Sequence, residues 1–490
     1  MKHLPNLILP VLAALAGCAE APRTPTQQAN RPNIIFVLID DQRYDFLSSL
    51  GHPWIKTPHI DELAENSLYF DHAYVTTSLC SPSRASILTG QYAHTHQVID
   101  NDTSIPAGTP TFPQELQDGG YRTAFVGKWH MGGANDMPRP GFDYWASFKG
   151  QGAYADPEMN INGERVQQTG YTPDILTDLS VAYVEGEQDV DEPYFLYLSH
   201  KSIHEPFTPA PRHEGEYADL EVPRPDAEED FTGKPQWLKK QRQSWHGADR
   251  DFSFGHASLV DYQAFFRLYS ECMLAVDDSV GRITETLRRL GQLDDTVIIY
   301  YSDNGYMIGE HGLIDKRVMY EESIRVPAFV HWPAKIQQHA VSSEFVLNID
   351  IGPTILDLAG LSAPSTMHGR SFLPFITGDS VNWREDFIYE YFIDPQAVQT
   401  PTIFGLRNKG FSYMTYHGVW DAYELYDMEQ DPKQHRNLLG GVVYGQGYGG
   451  LLRYAEQQAP DVYPTARQMD ERLTELLAEH GGSRRPTWVQ

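Results

Sequence analysis

Cysteine, positive charge and long apolar runs are all scarce in this sequence of 490 residues. The three cysteines, Cys18, Cys80 and Cys272, are too few for a disulfide framework. Only 38 Lys and Arg stand against 66 Asp and Glu, and the net charge of −28 argues against general binding to nucleic acid. An anionic substrate would therefore need a locally cationic pocket. No apolar run is long enough to cross a bilayer as a mature helix.

The N-terminus resembles a bacterial lipoprotein leader. Lys2 precedes an apolar stretch, Leu7 to Leu15, and Leu15-Ala16-Gly17-Cys18 resembles a lipoprotein cleavage box. We therefore predict a signal peptide over 1–17, a lipidated Cys18 and a flexible tether over 18–30. An ordinary secretory signal cut nearby is the alternative. Either pattern predicts an exported protein. The lipoprotein pattern further predicts a periplasmic or outer-membrane protein that contacts the membrane only through its lipid anchor.

Four short apolar runs each end in polar, reactive side chains. The runs are Asn33–Ile39, Tyr121–Val126, Pro193–Leu198 and Thr296–Tyr301. Uninterrupted apolar runs of this length are typical of buried parallel strands, and helical patterns lie between them. Ligands of open α/β sheets bind outside the carboxyl ends of the strands. The sequence thus predicts an α/β fold in which four strands direct polar groups to one edge of a sheet.

The second half of the chain predicts a long helix, followed by a region whose pattern indicates short strands. Apolar residues recur at three-to-four spacing from Tyr262 to Leu290, which predicts a helix with Cys272 in the core. From about residue 386, short aromatic-rich strand candidates precede a final helix near 464–480. We predict a catalytic domain over 31–385 and a smaller C-terminal α+β subdomain over 386–490 with an antiparallel sheet.

Acidic and amide side chains follow two of the predicted strands. Asp40 and Asp41 come after the first strand, and Asp303 and Asn304 come after the fourth. Adjacent buried carboxylates repel each other unless a cation lies between them. An all-oxygen set suits Ca²⁺ or Mg²⁺ better than zinc. The alternative is that these residues form a helix cap and a tight turn.

Cys80 lies in the most distinctive segment of the sequence. It stands at a predicted helix start, followed by Pro82, Ser83 and Arg84 and then by Leu-Thr-Gly at 88–90. A lone cysteine is usually an inert buried residue, but this pattern closely resembles the signature of the formylglycine-dependent sulfatases. Further segments resemble the same family, namely 31–41, 127–132, 302–305, 309–316, 350–354 and 425–438. The resemblance implies the fold of the alkaline phosphatase superfamily, a sandwich with a large, mostly parallel sheet flanked by helices.

The resemblance also implies the site residues. The implied catalytic residues are Cys80, Arg84, Lys128, His130, His204 and Lys316. The implied ligands of one Ca²⁺ are Asp40, Asp41, Asp303 and Asn304. Cys80 would be oxidised to 3-oxoalanine (formylglycine) by a maturation enzyme, and its hydrate would attack the sulfur. His130 would take a proton from that hydrate, and His204 would serve as general acid. We prefer His204 to His200 because the family's histidine shortly precedes a proline.

The implied activity is hydrolysis of sulfate esters on a carbohydrate. The acidic composition favours oligosaccharides from a sulfated algal glycan of the ulvan type, with glycosaminoglycans next. One alternative is a phosphonate or phosphodiester hydrolase of the same superfamily. Another is a non-catalytic, lipid-anchored glycan-binding protein in which Cys80 remains a thiol.

A basic cluster marks the polar segment from about 205 to 260. Its members are Lys234, Lys239, Lys240, Arg242, His246 and Arg250. We predict that Arg242, His246 and Arg250 bind the remainder of an anionic substrate, since guanidinium groups suit bidentate contacts with sulfate or carboxylate. A solvated loop face is the alternative.

Overall fold

The protein is described by a computed structural model covering residues 1, 31–133, 135–187, 190–225, 231–248, 261–417, 423–442 and 452–484. The predicted tether with Cys18, and nearly all of the predicted signal peptide, lie outside the described residues. In the described part of the chain, no helix is both long enough and apolar enough to traverse a membrane.

The strands of the described residues alternate with helices along most of the chain. The strands are β1 (Asn33–Ile39), β2 (Ser67–Phe70), β3 (Ala73–Tyr74), β4 (Arg122–Lys128), β5 (Tyr144–Phe148), β6 (Glu158–Ile161), β7 (Glu164–Gln167), β8 (Tyr194–Ser199), β9 (Thr296–Ser302), β10 (Met307–Ile308), β11 (Ile314–Asp315), β12 (Phe329–His331), β13 (Ala340–Ser342), β14 (Val346–Leu347), β15 (Asp386–Tyr391), β16 (Thr402–Asn408), β17 (Phe411–His417) and β18 (Tyr423–Asp427). The helices are α1 (Pro58–Ala64), α2 (Cys80–Thr89), α3 (Ala93–His96), α4 (Phe112–Asp118), α5 (Thr172–Gly186), α6 (Gln236–Arg242), α7 (Tyr262–Leu290), α8 (Glu321–Ile324), α9 (Ile351–Leu358), α10 (Leu373–Thr377), α11 (Leu452–Gln458) and α12 (Tyr463–Glu479).

A large mixed sheet forms the centre of the molecule. Among the described residues it has ten strands in the order β13-β2-β12-β9-β1-β8-β4-β5-β6-β7. The five consecutive strands from β9 to β5 run parallel, and antiparallel pairs flank them. The four predicted strands are therefore β9, β1, β8 and β4, which are neighbours, and the predicted fold class is confirmed.

Both faces of the central strands are buried, which explains the uninterrupted apolar runs. Successive side chains of a strand point to opposite faces. Ile34, Phe36 and Leu38 of β1 accordingly join one hydrophobic cluster, and the residues between them join the other. Helix α7 packs in the second cluster, where Cys272 is fully buried as predicted. Asp261 caps the start of α7, and Gly291 ends it with a φ of 68°.

The C-terminal part contains the predicted antiparallel sheet. Within the described residues this sheet has four strands, β15 to β18, each paired with the next. Its apolar residues, such as Phe404 and Leu425, belong to the same cluster as Phe36 of β1. The sheet therefore shares a core with one face of the large sheet, and residues 32–490 form one compact unit. The boundary at residue 386 stays a prediction.

Candidate active site

Four parallel strands end at the same edge of the large sheet and bring the candidate site together. Asp40 follows β1 and Asp303 follows β9, and the pairing of Ile39 with Ser302 places the two aspartates at the same level. Lys128 is the last residue of the nearby strand β4. All three charged side chains are fully buried. The edge therefore holds charged groups that water does not stabilise.

The carboxylates of Asp40, Asp41 and Asp303 form a cluster. One oxygen of each lies within 4.8 Å of one oxygen of each of the others. Asp41 has a φ of 66°, and its backbone N–H donates to Asp303 Oδ1 at 3.1 Å. Burial, and then the charge of Asp40, raise the pKa of Asp303 to about 7, and burial also raises the pKa of Asp41. A cation would relieve this mutual repulsion.

Asn304 contributes an oxygen that has no partner. Its Nδ2 donates to Asp41 Oδ1 at 2.5 Å and to the carbonyl of Gly305 at 2.9 Å. Its buried Oδ1 accepts no hydrogen bond from any residue that the structure describes. Three carboxylates and a free amide oxygen are a donor set suited to a hard cation such as Ca²⁺ or Mg²⁺. The residues at this position therefore fit the metal that the sequence pattern implies.

Cys80 begins helix α2 next to the carboxylate cluster. Its Sγ lies 3.7 Å from Asp40 Oδ1, and the side chain is fully buried. Burial raises the pKa of the thiol to about 12, so the unmodified side chain is neutral at physiological pH.

Three cations balance the three carboxylates. Lys128 donates to Asp40, and Lys316 Nζ lies 2.5 and 2.6 Å from the two carboxylate oxygens of Asp41. Arg84 contacts Asp303 Oδ2 through Nε at 2.9 Å and through Nη2 at 2.8 Å. Burial alone would favour a neutral Asp40, but Lys128 holds the pKa of that carboxyl well below its usual range. The cluster is thus close to neutral before a metal binds.

Arg84 is expected to be a large contributor to stability. Its Nη1 also donates to the Lys128 carbonyl at 2.7 Å and to Ser199 Oγ at 2.6 Å. Arg84→Ala would leave Asp303 buried without its partner, and we expect a loss of about 3–5 kcal/mol in the free energy of unfolding, measured in urea. The control is Arg282→Ala, because Arg282 pairs with Asp178 at an exposed position and should contribute about 0–1 kcal/mol. Equal losses for the two variants would contradict this assignment.

The structure places His204, and not His200, beside the carboxylate cluster. His204 Nε2 lies 3.8 Å from Asp41 Oδ2, while its Nδ1 lies 2.7 Å from the carbonyl oxygen of Glu205. Because a carbonyl can only accept, Nδ1 carries the hydrogen and Nε2 faces the site. His200 instead contacts Ser279 of α7 at 3.1 Å. His204 therefore lies at the carboxylate cluster and His200 does not, and the role of His204 stays a prediction.

His130 lies two residues after the end of β4 and contacts the residue that follows Cys80. It has a φ of 57°, and its Nδ1 lies 3.4 Å from Ser81 Oγ, next to the candidate nucleophile. Burial, and then the charge of Lys128, keep the pKa of His130 well below its usual value. Burial, followed by the same lysine, has this effect on the pKa of His204. Both imidazoles are therefore neutral in this state and able to accept a proton.

Two residues of the site were not predicted from the sequence. Ser199 accepts a hydrogen bond from Arg84 and donates to the Lys128 carbonyl at 2.7 Å. Glu205 is buried, its Oε2 accepts from Tyr306 at 3.2 Å, and burial raises its pKa to about 8. Ser199 ends β8 and belongs to no recognisable motif, and Glu205 directly follows the candidate general acid His204. Their closeness in the sequence to predicted site residues was the feature from which both could have been predicted.

The basic cluster predicted in the segment 205–260 does not form one face. Lys234 is buried and donates to Tyr426 Oη at 2.9 Å and to the Gln434 carbonyl at 2.6 Å, so it ties this segment to the C-terminal sheet. The prediction that His246 binds substrate was wrong, because its ring is fully buried and its Nδ1 lies 2.7 Å from Asp315 Oδ2. The imidazole and the Asp315 carboxylate pair with each other in the interior.

Arg242 and Arg250 are the other two residues of that prediction. Arg242 ends α6, where it is half-buried, and its guanidinium lies 5.3 Å from the centre of the Phe231 ring. Arg250 lies outside the described residues. Their proposed contacts with substrate stay predictions.

Family models and curated relatives both match this chain. The sulfatase family model matches residues 32–361, and the model for the C-terminal part of N-sulphoglucosamine sulphohydrolase matches residues 309–448. An N-acetylglucosamine-6-O-sulfatase of Bacteroides thetaiotaomicron is 32% identical over an alignment that spans 93% of this chain and 91% of that protein. An ulvan-active sulfatase of Formosa agariphila is 27% identical, with 97% of this chain and 87% of that protein covered.

One solved structure superposes on most of this chain. It is a protein in complex with its substrate D-glucosamine-2-N,6-O-disulfate, and it superposes with a TM-score of 0.82 at 29% identity, covering 92% of this chain and 98% of that one. The family model spans well over half of the sequence, and a relative is 32% identical across nearly its full length. The chain therefore belongs to the sulfatase family and is a sulfuric ester hydrolase.

Proposed function

We propose that the protein removes the 6-O-sulfate of N-acetylglucosamine-type residues in sulfated oligosaccharides, using an oxidised Cys80 and one Ca²⁺. The observation that supports the chemistry most strongly is the buried group of Asp40, Asp41, Asp303 and Asn304 directly beside Cys80. The 32% identity to an N-acetylglucosamine-6-O-sulfatase supports the substrate class.

Asp40, Asp41, Asp303 and Asn304 would hold the calcium ion. The ion would supply two positive charges for orienting the sulfate and polarising its oxygens. Since Arg84, Lys128 and Lys316 already offset the three carboxylates, the occupied site would carry a net positive charge. That local charge is what a sulfate monoester needs in a protein of net charge −28. Lys128 and Lys316 would then be available to contact the anion.

The proposed modification of Cys80 would supply a hydrated aldehyde as oxygen nucleophile. The position of Cys80 supports this proposal, because its Sγ lies 3.7 Å from Asp40 Oδ1, directly beside the carboxylate cluster. A separate maturation enzyme would carry out the oxidation. The start of α2 favours developing negative charge at the position of Cys80.

Two histidines would move protons at the two ends of the reacting group. His204 Nε2 faces the site, while its Nδ1–H is held by the Glu205 carbonyl. Because Nε2 of the neutral ring carries no hydrogen, His204 would first take up a proton from solvent as the anionic sulfate binds, and its Nε2–H would then protonate the leaving alcohol. His130, beside Ser81, would accept the proton released at Cys80 during the second half of the cycle. His204 would therefore act at the oxygen of the leaving alcohol, and His130 would act at a hydroxyl oxygen of the modified Cys80.

The substrate proposal is tested by comparing sulfated sugars. Enzyme co-expressed with a maturation enzyme should release sulfate from N-acetylglucosamine-6-sulfate with a kcat/KM at least about 10²-fold above that for the 3-sulfate. An ulvan oligosaccharide is the second candidate, favoured by the relative that acts on ulvan, and should react more slowly. A phosphonate monoester tests the remaining alternative. Faster turnover of ulvan or of the phosphonate would overturn the proposed substrate.

We also propose that the protein is exported as a lipoprotein anchored through Cys18. The support is the cleavage pattern at 15–18 in the sequence. Metabolic labelling with a fatty acid should mark the wild-type protein and not Cys18→Ala. Labelling of both would contradict the proposed anchor.

A further inference from the structure

His204 lies in a segment that has no regular secondary structure to hold it. The segment follows β8 and runs through residues 200–208. Ser202 and Ile203 exchange backbone hydrogen bonds with Asp40 at 3.0 and 2.7 Å, and the backbone N–H of His204 itself donates to the Lys201 carbonyl at 3.1 Å. A side chain that must face the reacting group to within a fraction of an ångström needs further support.

Two tyrosines provide contacts to this segment from the region before α5. Tyr154 is buried, and its hydroxyl donates to the His204 carbonyl at 2.8 Å. The Tyr171 hydroxyl donates to the Thr208 carbonyl at 2.9 Å. The two rings are stacked, with their centres 5.8 Å apart. One tyrosine thus fixes the backbone of the candidate general acid, and the other fixes the same segment four residues later.

Lys201, which belongs to the same segment as His204, contacts the Tyr154 ring. Its ammonium lies 4.4 Å from the centre of that ring, and the side chain is fully buried. Among the residues that the structure describes, none accepts a hydrogen bond from this ammonium. Burial lowers its pKa to about 8. A buried ammonium without hydrogen bonds is costly, and the cation–π contact with Tyr154 offsets part of that cost, as do the charges of Asp40 and Glu205.

We propose that Tyr154, braced by Lys201, is a positioning residue that holds the His204 imidazole against the leaving oxygen. The Nδ1 contact to Glu205 fixes the orientation of the ring, and the Tyr154 hydroxyl fixes the backbone from which the ring projects. Loss of the hydroxyl would let the backbone move and would misplace Nε2. The inference rests on the proposed role of His204 as general acid.

The test compares two leaving groups in the matured, calcium-loaded enzyme. A sugar alcohol needs a proton as it departs, whereas 4-nitrophenolate does not. Tyr154→Phe should therefore lower kcat on the 6-sulfated sugar by about tenfold and leave kcat on 4-nitrophenyl sulfate within about twofold. Tyr171→Phe is the matched control, because it removes a hydroxyl that holds the same segment away from His204. Tyr171→Phe should change neither rate, and it should lower the melting temperature about as much as Tyr154→Phe does.

His204→Ala separates failure of this inference from failure of the proposed role. It should lose about 10²–10⁴-fold on the sugar and little on the aryl sulfate. If it does so while Tyr154→Phe matches Tyr171→Phe, the positioning role is wrong and the role of His204 stands. If His204→Ala affects both substrates equally, both assignments fall. If Tyr154→Phe does not fold, Lys201→Met is the second variant, because it removes the buried charge and keeps most of the side-chain volume. It should show the same loss on the sugar and little change on the aryl sulfate. An equal fold-change on the two substrates would overturn the inference.

Discussion

Cys80→Ala is expected to lower kcat for sulfate release by at least about 10⁴-fold, because no other group at the site can replace the nucleophile. The fold should remain intact. The side chain is small and lies at a helix start, so the loss in the free energy of unfolding should be about 1 kcal/mol. Sulfate release and thermal unfolding of the same preparation measure both effects.

Cys272→Ala is the matched control for this experiment. Cys272 is also fully buried, but it lies in α7 among apolar residues such as Phe265. We expect kcat within about twofold of the wild-type value and a loss of about 1 kcal/mol in stability. Retained turnover in Cys80→Ala, or equal losses of activity in both variants, would remove Cys80 from the mechanism.

Asp303→Asn is expected to abolish calcium binding and to lower kcat by about 10²–10⁴-fold. The change preserves the volume of the side chain and removes one of three clustered carboxylates, so the site loses charge that a divalent cation requires. In the wild-type protein, calcium at 100 times its Kd should add about 2.7 kcal/mol of stability, visible as a rise in melting temperature. The variant should show no such rise.

Asp277→Asn serves as the control for the metal prediction. Asp277 is likewise a buried carboxylate, but it accepts hydrogen bonds from the backbone N–H groups of His59 and Ile60, at 3.3 and 2.8 Å. This variant should be less stable than the wild type and yet keep both the calcium-induced rise and the activity. A full calcium response and full activity in Asp303→Asn would mean that the metal site is elsewhere.

The elements that position the site could be predicted because local sequence determines them. The run Asn33–Ile39 is apolar at every position after the first because both faces of β1 are buried. The helix Tyr262–Leu290 has its apolar periodicity and is ended by Gly291. Asp40, Lys128 and Asp303 then meet because parallel neighbouring strands end at one edge.

Contacts between distant segments could not be predicted in this way. His246 and Lys234 look like members of one basic surface in the sequence, yet Asp315 and Tyr426 draw them into the interior. Tyr154 supports His204 across 50 residues of chain, and neither periodicity nor a motif indicates that pairing. Side chains whose partners lie far along the chain are therefore the ones that sequence patterns place least well.

The central claim is that Cys80 acts as an oxidised side chain in a calcium-bound site. The most direct test is mass analysis of the peptide spanning Cys80, prepared from enzyme whose sulfatase turnover has been measured. We predict the mass of the aldehyde at Cys80, in a fraction that rises in proportion to the specific activity of each preparation, with Cys272 unmodified. Fully active enzyme that carries only the unmodified thiol at Cys80 would contradict the account.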